Sequence, residues 1–285
     1  MGRYTYEIVP EIFAHDLDGE PLVAVPERFG LVDDSPDRWT KLFQKLEEMN
    51  QSAKEGEKYK VVFCIRHGQG FHNVAEAKYG TEAWDDHWSK LNGDGDIVWG
   101  PDPLLTPTGI EQAKDVRKMW EKEVGAGLGL PSKIYSSPLS RALRTCFITF
   151  DGLVPVEDSE GKEESRVLIV EDCREENGVH TCDKRNTRSW IQTQFPKYKF
   201  EEGFEEEDRL WSRDVRETKK EVGVRAARVL DRIFDENPTE VFQAITAHNG
   251  FINGVLLTLG RKPYLLPTGG AFFDLPGLRF RESMF

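Results

Sequence analysis

The sequence predicts an α/β fold organised around a mainly parallel sheet. Three observations predict it. Short continuous apolar runs such as Val61-Val62-Phe63-Cys64-Ile65 have no polar face to offer water, which is how a strand covered on both sides of a sheet reads. These runs alternate with segments of helical periodicity, the order that lays strands in parallel with helices across their faces. Two of the runs end in a histidine and lead through a glycine into a helix-like segment, at Arg66-His67-Gly68 and at His248-Asn249-Gly250. In open α/β sheets, sites lie beyond the carboxyl ends of strands.

Taken in order, residues 1–57 read as an extension rich in proline and acidic residues, packed on the main domain at 58–285. The extension ends in a helix, because Trp39, Leu42, Phe43, Leu46 and Met49 recur at helical spacing. The first strand covers Tyr59 to Ile65, and a helix follows from about His72. Thr106 and Pro107 suit the N-cap and first position of a helix that runs to about Val124. Lys133 to Tyr135 is a short strand closed by Ser136-Ser137-Pro138, with a helix from Leu139 to Phe150. Val167 to Val170 is a strand, Thr218 to Phe234 a long helix, Val241 to Ala247 a strand, and 251–259 a helix. The acidic stretches Glu157 to Glu164 and Glu201 to Asp208 are expected to be loops or solvated faces.

The chain has 285 residues and a net charge of −12, a poor match for the phosphate backbone of nucleic acids or for an anionic membrane. No apolar stretch approaches the roughly 20 residues of a membrane span. The first residues lack the apolar core of a secretion signal, and Tyr6 breaks the myristoylation pattern after Met1-Gly2. Cys64, Cys146, Cys173 and Cys182 are widely spaced, with no CxxC, and Cys64 and Cys146 sit in apolar runs. That is the usage of a reducing compartment. A cytoplasmic or nuclear protein is expected.

A histidine at the end of a buried strand is by default a core residue. Here an arginine precedes it, where an unpaired charge would be costly. A glycine follows, and then a helix N-terminus, which favours anions. Arginine plus a helix N-terminus is a cradle for phosphate, whose oxygens match a guanidinium in bidentate fashion. Ala247-His248-Asn249-Gly250 mirrors this arrangement and points to one site at one edge of one sheet. The segment Ser136 to Thr145 adds Arg141 and Arg144 at a third strand-to-helix junction.

Together these residues resemble the histidine phosphatase superfamily, in the branch that holds the cofactor-dependent phosphoglycerate mutases. The resemblance rests on Arg66-His67-Gly68 with Asn73, on Leu105-Thr106-Pro107-Thr108-Gly109-Ile110-Glu111-Gln112-Ala113, on Ser136-Ser137-Pro138 with Arg141 and Thr145, on Arg174-Glu175, and on His248. These fall in the family's order over roughly residues 60–255. Arg66 to Asn73 and Gly178 to Arg185 look most like fungal and plant phosphomutase-like proteins.

The resemblance implies a three-layer αβα sandwich of the phosphoglycerate mutase type over 58–285. It makes His67 the nucleophile that becomes phosphohistidine, and sets Arg66, Arg141 and His248 around the phosphoryl group. Asn73 becomes a neutral donor and Glu175 the acid, with its neighbour Glu176 as the alternative and Asp183 or His180 next in line. The implied activity is hydrolysis of a small phosphorylated substrate, with a mutase or a catalytically inactive phosphate-binding relative as alternatives. The residues after Glu175 lack the Arg-His-Tyr-Gly of glycerate mutases, which favours the phosphatase. No cofactor is expected. No metal is expected either, since the arginines would do what Mg²⁺ does elsewhere, and His180-x-Cys182-Asp183 fits no common zinc spacing; His180 is left as a substrate-facing or structural residue. Trp84, His87, Trp88 and Trp99 lie in an insertion that either packs internally or covers substrate.

Overall fold

The computed structural model describes residues 4–14, 23–153, 166–236, 238–274 and 279–282. In chain order the elements are β1 (Tyr4–Glu7), α1 (Arg38–Ser52), β2 (Val61–Arg66), α2 (Phe71–Tyr79), α3 (Thr81–Asp86), α4 (Pro107–Gly125), β3 (Lys133–Ser136), α5 (Ser140–Phe150), β4 (Val167–Ile169), α6 (Arg188–Gln194), β5 (Lys199–Phe200), α7 (Lys219–Glu236), β6 (Phe242–Ala247), α8 (Asn249–Thr258), β7 (Ala271–Asp274) and β8 (Arg279–Glu282). The main sheet has the order β5-β4-β3-β6-β2-β7. All its pairs are parallel except β2 with β7. A separate antiparallel pair joins β1 to β8.

Strand alternation explains the unbroken apolar runs. Val62 and Cys64 of β2 join Ile245 and Ala247 of β6 in the core beneath α7 and α8. Val61, Phe63 and Ile65 pack on the opposite face with Trp39 of α1, Trp120 of α4 and Cys146 of α5. Each central strand is thus covered on both sides, and the architecture is a three-layer αβα sandwich. The segment before β2 contributes Phe13, Phe29, Leu31, Trp39, Leu42 and Leu46 to that second core. Its anchor is polar: the fully buried carboxylate of Glu123 accepts hydrogen bonds from Trp39 Nε1 at 2.7 Å and from the Arg38 guanidinium. No helix among the described residues is long and apolar enough to cross a membrane.

Most of the expected elements are present within a residue or two, and Thr106 caps α4 by accepting from the Gly109 N–H. Six short elements carry no periodic signal and were not expected: β1, α3, α6, β5, β7 and β8. The acidic stretch 157–164 lies outside the described residues. The stretch from Glu201 to Asp208 is a loop, as expected, though two of its carboxylates face arginines rather than solvent. It is largely irregular, but Asp208 is buried and holds Arg174 through two bonds of 2.7 Å. Glu201 pairs with Arg232. A fully buried Arg174 needs a counter-charge, and the acidic loop supplies it.

The glycines of two motifs set the frame of the site. A side chain at Gly109 would collide with the Gln69 backbone, and one at Gly68 with the Gly109 carbonyl. The first turn of α4 therefore docks backbone-to-backbone on the loop that follows His67, which is the physical need behind Thr106-Pro107-Thr108-Gly109.

Candidate active site

Three adjacent strands deliver the site. Arg66 at the end of β2 is in register with Ala247 at the end of β6, and Ser136 of β3 with Thr246. The residues that follow these ends, His67, His248 and Ser137, therefore share one edge of the sheet. The His67 and His248 rings lie 4.9 Å apart between centroids, and both are buried. His67 Nδ1 is 2.7 Å from the Gly68 carbonyl. A carbonyl only accepts, so Nδ1 carries the proton and Nε2 keeps its lone pair. Burial, with Arg141 and Arg66 nearby, holds the His67 ring well below its ordinary pKa, so it is neutral. The same causes depress His248, whose Nε2 is 2.8 Å from Ser137 Oγ.

Arg141 is buried at the start of α5 and held by the Cys182 carbonyl and the Asp183 carboxylate, at 2.7 and 2.8 Å. Thr145, one turn on, accepts from Gly68 N–H and donates to the Arg141 carbonyl, so the helix and the His67 loop are tied together. Arg66 donates to the Leu266 carbonyl. The Nε of each of these two arginines is buried without a partner among the described residues. Arg144, by contrast, is exposed and lies over the Phe147 ring, away from the site.

Glu175 is close to Arg66 and Arg141, and its Oε2 accepts from the Gly250 N–H in the first turn of α8 at 3.2 Å. Only a bare Cα fits there, since a side chain at Gly250 would meet the Glu175 carboxylate. Burial, with Asp183 and Glu176 adding to it, pushes the Glu175 carboxyl above the ordinary range. Glu176 is placed differently, paired with Lys219 and facing Arg216.

Comparison with known proteins identifies the family. Residues 62–267 match the model of the histidine phosphatase superfamily, branch 1. The chain belongs to that superfamily. Among its relatives is a "Probable phosphoglycerate mutase" of Arthroderma benhamiae, 39% identical over 93% of this chain and 82% of that one. "Probable phosphoglycerate mutase PMU1" of Saccharomyces cerevisiae is 34% identical over 81% of each chain. "Phosphoglycerate mutase-like protein 1" of Arabidopsis thaliana is 32% identical over 68% of this chain and 69% of that one.

In this superfamily member the remaining expected residues are less central. The Asn73 carboxamide oxygen accepts from Gly70 N–H and so caps α2. His180 is half-buried, edge-on to Trp84 and 3.5 Å from Asp85. Trp84 and Trp99 form a small core with Ala75 and Cys182, so the insertion packs internally beside His180. Asp183 bridges two guanidiniums, Arg141 through Oδ1 and Arg216 through Oδ2, each at 2.8 Å. Burial alone would raise its pKa, but Arg216 and Arg141 outweigh this and hold the carboxyl below the usual range. It is therefore a poor proton donor.

The ligand atoms of His180, Cys182 and Asp183 do converge, all within 4.8 Å, which the spacing did not suggest. They do not suit a cation. Both Asp183 oxygens are already taken by arginines, and burial pushes the Cys182 thiol well up, keeping it protonated. Arg216 and His72 are the groups that sequence reasoning passed over. Arg216 belongs to no strand-to-helix junction, and no motif marks it.

Replacing Asp183 by asparagine leaves Arg141 and Arg216 without their buried counter-charge. Breaking such a pair costs about 3–5 kcal/mol. The Asp183→Asn variant is expected to unfold at clearly lower urea than the parent. An unchanged midpoint would show that the two arginines find other partners.

Proposed function

We propose that this protein is a phosphomonoesterase that works through a phosphohistidine on His67 and needs no metal. One observation carries the reading: a neutral imidazole, with its Nδ1 proton fixed on the Gly68 carbonyl, presents Nε2 among Arg66, Arg141 and His248. In the first step Nε2 attacks phosphorus and the bond from phosphorus to the leaving oxygen breaks. The Glu175 carboxyl, its pKa raised by burial, gives its proton to the departing alkoxide. In the second step the Glu175 carboxylate takes a proton from water, the hydroxide attacks the phosphohistidine, and phosphate leaves with His67 neutral again. Arg66 and Arg141 balance the charge on the equatorial oxygens, which is most of what a protein supplies in phosphoryl transfer.

The names of the relatives support a second reading. A mutase would use the same phosphohistidine but return the group to a hydroxyl of the substrate, and must keep water out between the steps. A panel of small phosphorylated metabolites, assayed with EDTA present, tests both readings. Release of inorganic phosphate, undiminished by EDTA, is the expected outcome. Activity that EDTA abolishes and Mg²⁺ restores would overturn the metal-independent mechanism, and isomerised substrate without free phosphate would favour the mutase.

A further inference from the structure

His72, in the first turn of α2, is buried within the site, yet the chemistry above gives it no task. Its ring centroid lies 5.4 Å from that of His67, so the nucleophile has two imidazoles close to it, His72 and His248. The ring is seated against a bare Cα: a side chain at Gly70 would come within 2.7 and 2.8 Å of its Nδ1 and Cε1. Nδ1 is buried without a partner, and neither ring nitrogen has a hydrogen-bond partner among the described residues. An unsatisfied buried imidazole is costly, and an aromatic hydrocarbon ring of similar size would avoid that cost. Arg141, His67, Arg66 and His180 all act on it electrostatically, against its charged form. The Arg141 and Arg66 guanidiniums beside the ring suit an anion, and an anion could accept its hydrogen bond.

We propose that His72 is a further catalytic residue, donating a hydrogen bond to a non-bridging oxygen of the phosphoryl group carried by His67. The inference rests on the phosphohistidine reading of the site and extends it. Burial, with Arg141 nearby, lowers the His72 pKa well below its ordinary value, so the neutral ring has one N–H to give. The hydrogen bond is made to oxygens that every phosphomonoester shares, and it therefore acts on all leaving groups alike.

Orthovanadate, which binds as a five-coordinate mimic of the transferring phosphoryl group, is the probe. A hydrogen bond to a charged group is lost in His72→Phe, so vanadate inhibition should weaken by about 10- to 100-fold. Single-turnover phosphorylation should slow by a similar factor on nitrophenyl and alkyl phosphates. His72→Gln keeps an N–H donor and should recover most of the loss. The wild-type protein supplies a reading that does not depend on either variant folding: the ring ¹⁵N resonances of His72 should move when vanadate binds, along with those of His67 and His248. Unchanged vanadate inhibition in His72→Phe, or a silent His72 beside a responding His67, would overturn this proposal alone. No vanadate binding to the wild-type protein would overturn both this proposal and the phosphohistidine reading.

Discussion

Substituting His67 by alanine is expected to eliminate turnover and the phosphoenzyme together. Brief incubation of the parent with a phosphomonoester should leave phosphate on the protein that is labile in acid and stable in base, the signature of a P–N bond. The alanine variant should carry none. The effect is large because the imidazole supplies the covalent route itself. Water at that position would have to displace the leaving group in one step, without the positioned Nε2 that the Gly68 carbonyl fixes. The fold should tolerate the change, since the main-chain bonds from His67 N to the Ala247 carbonyl and from Gly269 N to the His67 carbonyl remain. Acid-stable phosphate, or labelling that survives the substitution, would place the nucleophile elsewhere.

The second large effect concerns Glu175 and depends on the leaving group. A sugar or glycerol hydroxyl is a poor leaving group and needs a proton as its bond breaks, whereas nitrophenolate leaves without one. Glu175→Gln should therefore slow single-turnover phosphorylation by an alkyl phosphate by about 10²–10⁴-fold, the usual worth of general acid help. Nitrophenyl phosphate should lose far less. Single-turnover rates are required, because dephosphorylation calls on the same carboxylate for both substrates. The pH dependence has a definite sign. Burial and the neighbouring Asp183 and Glu176 raise the Glu175 pKa, while Gly250 N–H and Arg141 oppose them. The acid is competent below that raised value, so alkyl phosphorylation should fall as pH rises through it, and in the glutamine variant this fall should vanish. Arg141 gives the contrast, because its loss should slow both substrates alike. If Glu176→Gln shows the leaving-group dependence instead, the acid is one residue along, despite the pairing of Glu176 with Lys219.

The two histidine junctions and the core strands were legible because their signals are local. A strand covered on both faces must be apolar throughout, and the alternate residues of β2 duly divide between two cores. A helix that begins against another loop needs a cap and a residue without a side chain, and Thr106 and Gly109 meet those needs within four residues. Elements held by pairing alone were not legible. The strand β7 carries no periodicity of its own and is defined by its antiparallel register with β2.

The sequence by itself determined the α/β class, the sheet edge where the site lies and the residue types gathered there. The tertiary structure alone decided how the ionisable groups are shared out. It turned Arg141 towards Asp183 and Arg144 towards solvent, and placed Glu175 against Gly250 but Glu176 against Lys219. It also set the His72 ring beside that of His67, with Nδ1 unpartnered among the described residues. The physical reason is one of range. Apolar burial and turn chemistry are settled among residues a few positions apart. The state of a buried charge depends on its desolvation and on the charges facing it, and those arrive from distant parts of the chain.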